Sequence, residues 1–354
     1  MKISKLQSDD FRIFNAVLLL EQILGARLFA KLCSVPKRKL LSRFQERLAS
    51  GEVGRKISVD RRTNLSAAQF HQEYFSKSKP VVFAGAARDW KCCKKWDLDY
   101  FSTHHGDHDL LLVDAKGLTS RRDGADFEFL SVRELIQDIR RRGDKYLRFS
   151  PILHENPELV QDVDLGWLQS MRGDRTFAST YYMFMGGAGQ KTLLHADQPC
   201  NLYVQIYGEK KWTLFMPDDS VFLYPEITNS PYVKSPLNIE EPDPARFPLF
   251  RYSTPLEAHL MPGDVLYVPP HVWHNVQNLT DTIAVGYRFS SLWAALRSSV
   301  AFTLIRALST NPSIWKTMKY GKQDTNLIWA DAGGNIPDVL KQWALRRKLP
   351  PIGK

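Results

Sequence analysis

Apolar and polar positions along this chain follow two different periods, and the change from one to the other divides it. From residue 9 to 33 the apolar positions surround the run Ala16-Val-Leu-Leu-Leu20 at helical spacing, which predicts an amphipathic helix. Pro36 then opens a second helix, whose Leu40, Leu41, Phe44 and Leu48 make one apolar face before Gly51. Residues 52–64 are polar and read as a connector, after which Ser66 can cap a short helix. Ser131-x-x-Glu134 is a capping box for a helix running to Arg142, with Gly143 as its stop.

The middle of the chain changes to short apolar runs ended by turn residues, the signature of strands. Pro80-Val-Val-Phe83 begins this pattern; Gly208 ends the run that starts at Asn201, and Pro217 ends its partner. Pro262-Gly263-Asp264 is a tight turn into a further run stopped by Pro269-Pro270. The stretch Pro225 to Pro255, rich in proline and acid, reads as a long loop between core strands. Beyond Phe289 the spacing is helical again, over Leu292–Leu296, Val300–Leu304 and Val339–Arg347.

Composition narrows the class. With 354 residues, of which 44% are hydrophobic and 24% charged, the chain can bury one large core with helical additions. Its cysteines are Cys33, Cys92, Cys93 and Cys200; the adjacent pair suits neither a disulfide framework nor a zinc knuckle, so a reducing, cytoplasmic setting is expected. Asp9, Asp10, Glu21 and Arg27 confine the N-terminal apolar run well below the roughly 20 residues of a membrane span. No transmembrane segment is expected, and peripheral membrane contact, helped by Lys31, Lys37, Arg38 and Lys39, is the alternative to plain packing. A net charge of +10 favours acidic proteins or nucleic acid as partners, although no RNA-binding motif accompanies it.

The chemistry is concentrated in three residues. In His195-Ala-Asp197 alternate side chains of one strand point the same way, so both can meet a single ion while Ala196 faces away. His274, after Pro269-Pro-His-Val-Trp273, supplies a third ligand from a distant strand. Two imidazoles and one carboxylate on one face of an octahedron leave the opposite positions open, as in non-heme Fe(II) oxygenases. Taken alone, the three would be a chance dipeptide pair and a core histidine; the strand context of both segments turns that around.

With Gly208-x-Lys210-x-Trp212, Pro262-Gly-Asp-x-Leu-x-x-Pro269 and Trp273-His274 in this order, the segment from about Pro80 to Phe289 resembles the JmjC, or cupin-like, branch of the Fe(II) and 2-oxoglutarate-dependent oxygenases. The resemblance implies a mainly β core, a double-stranded β-helix (jelly roll, or cupin) with helical additions at both ends. Its parts are an N-terminal helical extension over 1–58, a catalytic domain over 59–289 and a C-terminal helical region over 290–354. It implies iron held by His195, Asp197 and His274, with 2-oxoglutarate and O2 as cosubstrates. Lys210 falls on the lysine that binds the far carboxylate of 2-oxoglutarate, and Thr192, Tyr146 and Asn201 match residues placed near that cosubstrate or the metal. One position departs: where many relatives carry an asparagine on the last core strand, this chain has Gly286-Tyr287. His271 reads as turn packing or substrate contact.

The implied activity is a dioxygenase that hydroxylates a side chain of a protein or peptide. Hydroxylation of a tRNA base, lysine demethylation by the same chemistry, and a cupin that binds metal without turnover are the alternatives. The resemblance also makes the C-terminal helices a candidate homodimer interface, against covering the chain's own sheet.

Overall fold

In a computed structural model the described residues are 8–113, 127–150, 152–173, 175–227 and 233–308. Fifteen strands are described: β1 Ile57–Ser58, β2 Asp60–Arg62, β3 Val81–Phe83, β4 Asp109–Val113, β5 Phe127–Ser131, β6 Tyr146–Ser150, β7 Phe177–Gly186, β8 Lys191–Ala196, β9 Cys200–Tyr207, β10 Lys210–Phe215, β11 Val233–Lys234, β12 Leu256–Leu260, β13 Val265–Val268, β14 Trp273–Asn278 and β15 Thr282–Ser290. They form a six-stranded sheet in the order β1-β12-β10-β14-β8-β11 and a seven-stranded sheet in the order β2-β3-β13-β9-β15-β7-β6, with β4 and β5 as a separate pair. The sequential strands β8, β9 and β10 alternate between the two large sheets, as a double-stranded β-helix requires.

The alternation of side chains sorts the core into three layers. Between the sheets lie Tyr203, Leu266 and Ala284 from the larger one and Trp212, Leu214, Ala258 and Val276 from the smaller. The outer face of the larger sheet is covered by helices through Phe70, Leu135, Ile136 and Leu168. The outer face of the smaller sheet, with Leu194, Ala196, Phe215 and Trp273, packs on Phe14, Leu18, Phe44 and Leu48 of the N-terminal helical segment and on Phe302 and Ile305 of the C-terminal one. The sheet that carries the candidate ligands is thus held from behind by both ends of the described chain.

Three local expectations are corrected. Residues 52–64 are not merely a connector, because β1 pairs parallel to β12 and β2 parallel to β3. The capping box at Ser131 is present, but the helix is Val132–Arg140; Arg142 takes φ 59° as the chain turns out. The N-terminal helical segment Ser8–Leu48 is broken at Gly25 (φ 73°, ψ 155°), whereas Pro36 lies inside its second limb. In a straight helix residues 21 and 37 would stand about 24 Å apart, yet Lys37 Nζ lies 2.6 Å from a Glu21 oxygen. Arg47 likewise pairs with Asp10. The two limbs therefore fold back on each other as a hairpin, and only a residue tolerant of positive φ suits its turn. Helices follow Phe289 at Leu292–Ser298 and Val300–Leu308; the helix expected over Val339–Arg347 lies outside the described residues.

Candidate metal centre

His195 is the last residue but one of β8, Asp197 follows the strand's end at Ala196, and His274 stands directly opposite His195 on β14. Their ligand atoms all lie within 4.8 Å of one another. Asp197 Oδ1 is 3.8 Å from His195 Nε2, and Asp197 Oδ2 is 4.0 Å from His274 Nε2. Each imidazole is oriented by its own backbone: Nδ1 of His195 lies 2.7 Å from the Leu193 carbonyl, and Nδ1 of His274 lies 3.0 Å from that of Val272. An Nδ1–H donated to a carbonyl fixes the tautomer that leaves Nε2 as a lone-pair donor. Trp212 stacks on His274 with ring centroids 5.5 Å apart, which further holds the ring.

Electrostatics keep the three groups in ligand form. Burial opposes ionisation of Asp197, but Arg288, His195 and His274 outweigh it and hold the carboxyl down at about 2. Burial, followed by the neighbouring His195, pushes His274 down to about 3, and burial likewise lowers His195. At neutral pH the site offers one carboxylate and two neutral imidazoles. Asp197 Oδ1 is buried with no hydrogen-bond partner, a costly arrangement that a cation at this point would relieve. The donor set is two nitrogens and one oxygen with no sulfur, which fits ferrous iron.

Deeper between the sheets, β10 carries Lys210, which is fully buried. Nζ of Lys210 donates to the Tyr146 hydroxyl at 2.7 Å and lies 5.1 and 5.4 Å from the ring centroids of Tyr146 and Tyr203. Burial lowers its pKa, and Arg148 on β6 adds to that. The lysine connects to the ligands through aromatic rings, since Tyr203 packs on Trp212 at 4.8 Å and Trp212 on His274. Lys211, pointing the other way, pairs with Glu257 at 3.1 Å. Lys210 and Tyr146 are thus brought together as one buried cationic site between the sheets that fits a carboxylate of 2-oxoglutarate.

The remaining expected residues are placed differently. Thr192 lies three residues before His195, an odd number that would put it on the opposite face of a regular strand. An irregularity between β8 and β14 leaves Leu193 and Leu194 of β8 against Asn275 alone of β14, so Thr192 comes opposite Val276, which belongs to the layer between the sheets. Asn201 is the register partner of Arg288, and its Oδ1 is buried without a hydrogen bond. Gly286 is the inward position of the departing pair: a Cβ there would lie 3.1 Å from the Phe184 ring and 3.4 Å from Asn201 Oδ1. Tyr287 faces the outer layer, where its hydroxyl accepts from Arg172 at 3.3 Å. His271 serves the turn: at φ 61° its backbone N–H donates to the Asp197 carbonyl at 2.6 Å, and its ring meets Thr303 Oγ1 at 3.0 Å.

Arg288 is the functional residue that the sequence reading missed. Its guanidinium donates to Asp197 Oδ2 and lies 4.9 Å from the Phe149 ring centroid. Alternation from the inward Gly286 would have pointed to it.

The Cupin-like domain family matches residues 67–293, and the chain belongs to that family. It is 28% identical over 233 residues to lysine-specific demethylase 8 of Xenopus tropicalis, covering 64% of this chain and 51% of that protein. It is 39% identical over 149 residues to human HSPB1-associated protein 1, 40% of this chain and 29% of the relative. To human tRNA wybutosine-synthesizing protein 5 it is 28% identical over 256 residues, 66% of this chain and 78% of the relative. The chain spans about half the length, or less, of the first two. Relatives and site together place it on the JmjC branch of the family, whose chemistry uses Fe(II), 2-oxoglutarate and O2.

Proposed function

We propose that this chain is an Fe(II)- and 2-oxoglutarate-dependent dioxygenase that hydroxylates a side chain of a protein or peptide. The observation that carries the reading is the unpartnered, buried Oδ1 of Asp197 in a carboxylate that faces the Nε2 atoms of His195 and His274, with Lys210 buried between the same two sheets. When bound, the iron and 2-oxoglutarate supply the oxidising power of O2 toward a C–H bond, one oxygen atom entering the substrate and the other the succinate that forms with loss of CO2.

The protein's own part is positioning, in keeping with the division of labour between cofactor and chain. His195, Asp197 and His274 hold the metal from one side, and their carbonyl and guanidinium partners keep them aimed. Lys210 and Tyr146 would bind the far carboxylate, while Tyr203, Trp212 and Phe184 wall the cavity against water. Arg148 is buried nearby and Arg288 partly so, as additional cations. The net charge of +10 supports an acidic polypeptide as substrate.

A tRNA base is the second reading, supported by the name of a relative of which this chain covers 78%. N-methyl-lysine is the third, supported by the name of another. The test is succinate release by purified protein with Fe(II), 2-oxoglutarate and O2, followed by mass spectrometry of species retained by a His195→Ala variant. Retained polypeptide that gains one oxygen with the wild-type enzyme supports the proposal. Retained RNA, formaldehyde release, or iron binding without succinate would replace it with the tRNA, demethylase or non-catalytic reading respectively.

A further inference from the structure

The N-terminal hairpin is apolar on two sides, and among the described residues only one of them is packed on the fold. At about 100° per residue, Ile13, Leu20 and Ile23 of the first limb fall within an arc of about 80°, opposite the buried Phe14 and Leu18. These three are 51%, 41% and 68% exposed, while Phe14 and Leu18 are 2% and 0%. The second limb repeats the arrangement: Leu28, Leu32 and Val35, at spacing i, i+4, i+7, are all exposed, and Phe29, Phe44 and Leu48 on the side away from them are buried. Six large apolar side chains in water on one small element are far from the single scattered exposures of an ordinary surface.

The charges of the hairpin are sorted as well. Glu21 is tied to Lys37 and Asp10 to Arg47, so these acids are turned into the hairpin. Arg27, Lys31, Arg38 and Arg43 are exposed. On the helical wheel the first three line one edge of the Leu28-Leu32-Val35 stripe and Arg43 the other. A large apolar stripe edged by cations is what an anionic lipid surface selects.

We propose that the hairpin Ser8–Leu48 docks this protein on an anionic membrane surface, with Ile23, Leu28, Leu32 and Val35 entering the headgroup and acyl boundary. By length and composition alone Asp9–Leu48 could cross a membrane. The hairpin geometry argues for lying in the surface instead. The roots of both limbs are packed on the same sheet through Phe14, Leu18, Phe44 and Leu48. From Leu19 and from Leu40, which still pack there, the free limbs run six and fifteen residues to the turn at Gly25, about 9 and about 22 Å, each short of a hydrocarbon core of about 30 Å. A second copy of the chain is disfavoured as occupant, because a symmetric contact would bring the exposed Arg27, Lys31 and Arg38 of both copies together while Glu21 and Asp10 are already paired.

Flotation of the full chain with phosphatidylcholine vesicles, with and without about 30 mol % phosphatidylserine, tests this. The chain is expected to float with the anionic vesicles. The variant Ile23→Ser/Leu28→Ser/Leu32→Ser/Val35→Ser should lower its partitioning at least about tenfold, and Lys31→Glu/Arg38→Glu should do so by about tenfold. All substituted side chains are exposed, so unchanged circular dichroism and succinate release would show intact folding. Failure to float with either vesicle overturns the proposal. So does a dimer in sedimentation equilibrium that the serine variant dissociates, which would assign the stripe to a second copy. Resistance of the vesicle-bound chain to alkaline carbonate would make the hairpin a spanning segment and overturn surface docking.

Discussion

The two polar ends of the space between the sheets, the metal ligands and Lys210, are finished in opposite ways. At the metal end, two imidazoles are held by their own backbone carbonyls and one carboxylate oxygen is left without a hydrogen bond. At the other end, the Lys210 ammonium already has a hydroxyl and two aromatic faces. One end is incomplete without a cation, and the other is complete as protein yet carries a charge that a carboxylate can claim. A site built this way should lose metal and lose cosubstrate through separate substitutions.

The sharpest break of that comparison comes from the ligands. His195→Ala, Asp197→Ala or His274→Ala is expected to reduce succinate release to background, with iron affinity falling by well over the roughly 10–100-fold typical of outer partners; equilibrium iron binding by the variants checks this. Next in size is Lys210→Ala. Loss of one hydrogen bond to a charged group, about 1.5–3 kcal/mol, should raise the KM for 2-oxoglutarate by about 10–100-fold while iron affinity stays near wild type. A parallel loss of iron would merge the two ends and count against the division drawn above.

Arg288→Ala probes the link between them. Removing one partner of a buried pair costs about 3 kcal/mol or more, and burial alone would then push the Asp197 carboxyl up from about 2. Denaturant unfolding at neutral pH should show the lost stability, and the acid limb of iron binding should move to higher pH.

The pH dependence of the metal-free protein has a definite sign. His195, His271 and His274 are all lowered by burial, the latter two to about 3. An unfolded chain would bind protons at these sites from about 6.5 downward, where the folded chain does not. Stability is therefore full above about pH 6.5 and falls between there and about pH 3; urea midpoints across that range should decline. The smallest effect belongs to Thr192→Val, which is expected to change the KM for 2-oxoglutarate less than about tenfold, consistent with loss of at most one neutral hydrogen bond.

What could be read without coordinates follows the range of the interaction. His195 and Asp197 are two residues apart on one strand, so their common direction is a local fact, as are the capping boxes at Ser66 and Ser131. The pairing of Lys210 with Tyr146 spans 64 residues and two sheets; it came from the resemblance, since no local period relates the two. The inward turn of Thr192 needs an irregular strand pair, and the role of Arg288 needs the distance from β15 to the end of β8. Pro36 was a reasonable local place for the N-terminal break. The ion pairs Glu21–Lys37 and Asp10–Arg47 instead fold the limbs together about Gly25.

The most direct measurement is anaerobic titration of the purified chain with Fe(II) and then 2-oxoglutarate, followed by the visible absorption that a 2-oxo acid gains on chelating ferrous iron. The account predicts one iron per chain and growth of that absorption in wild type. It predicts iron without the absorption at the same 2-oxoglutarate concentration in Lys210→Ala, and neither in His274→Ala. Iron and absorption that both survive in His274→Ala, or a wild-type chain that never develops the absorption, would contradict it.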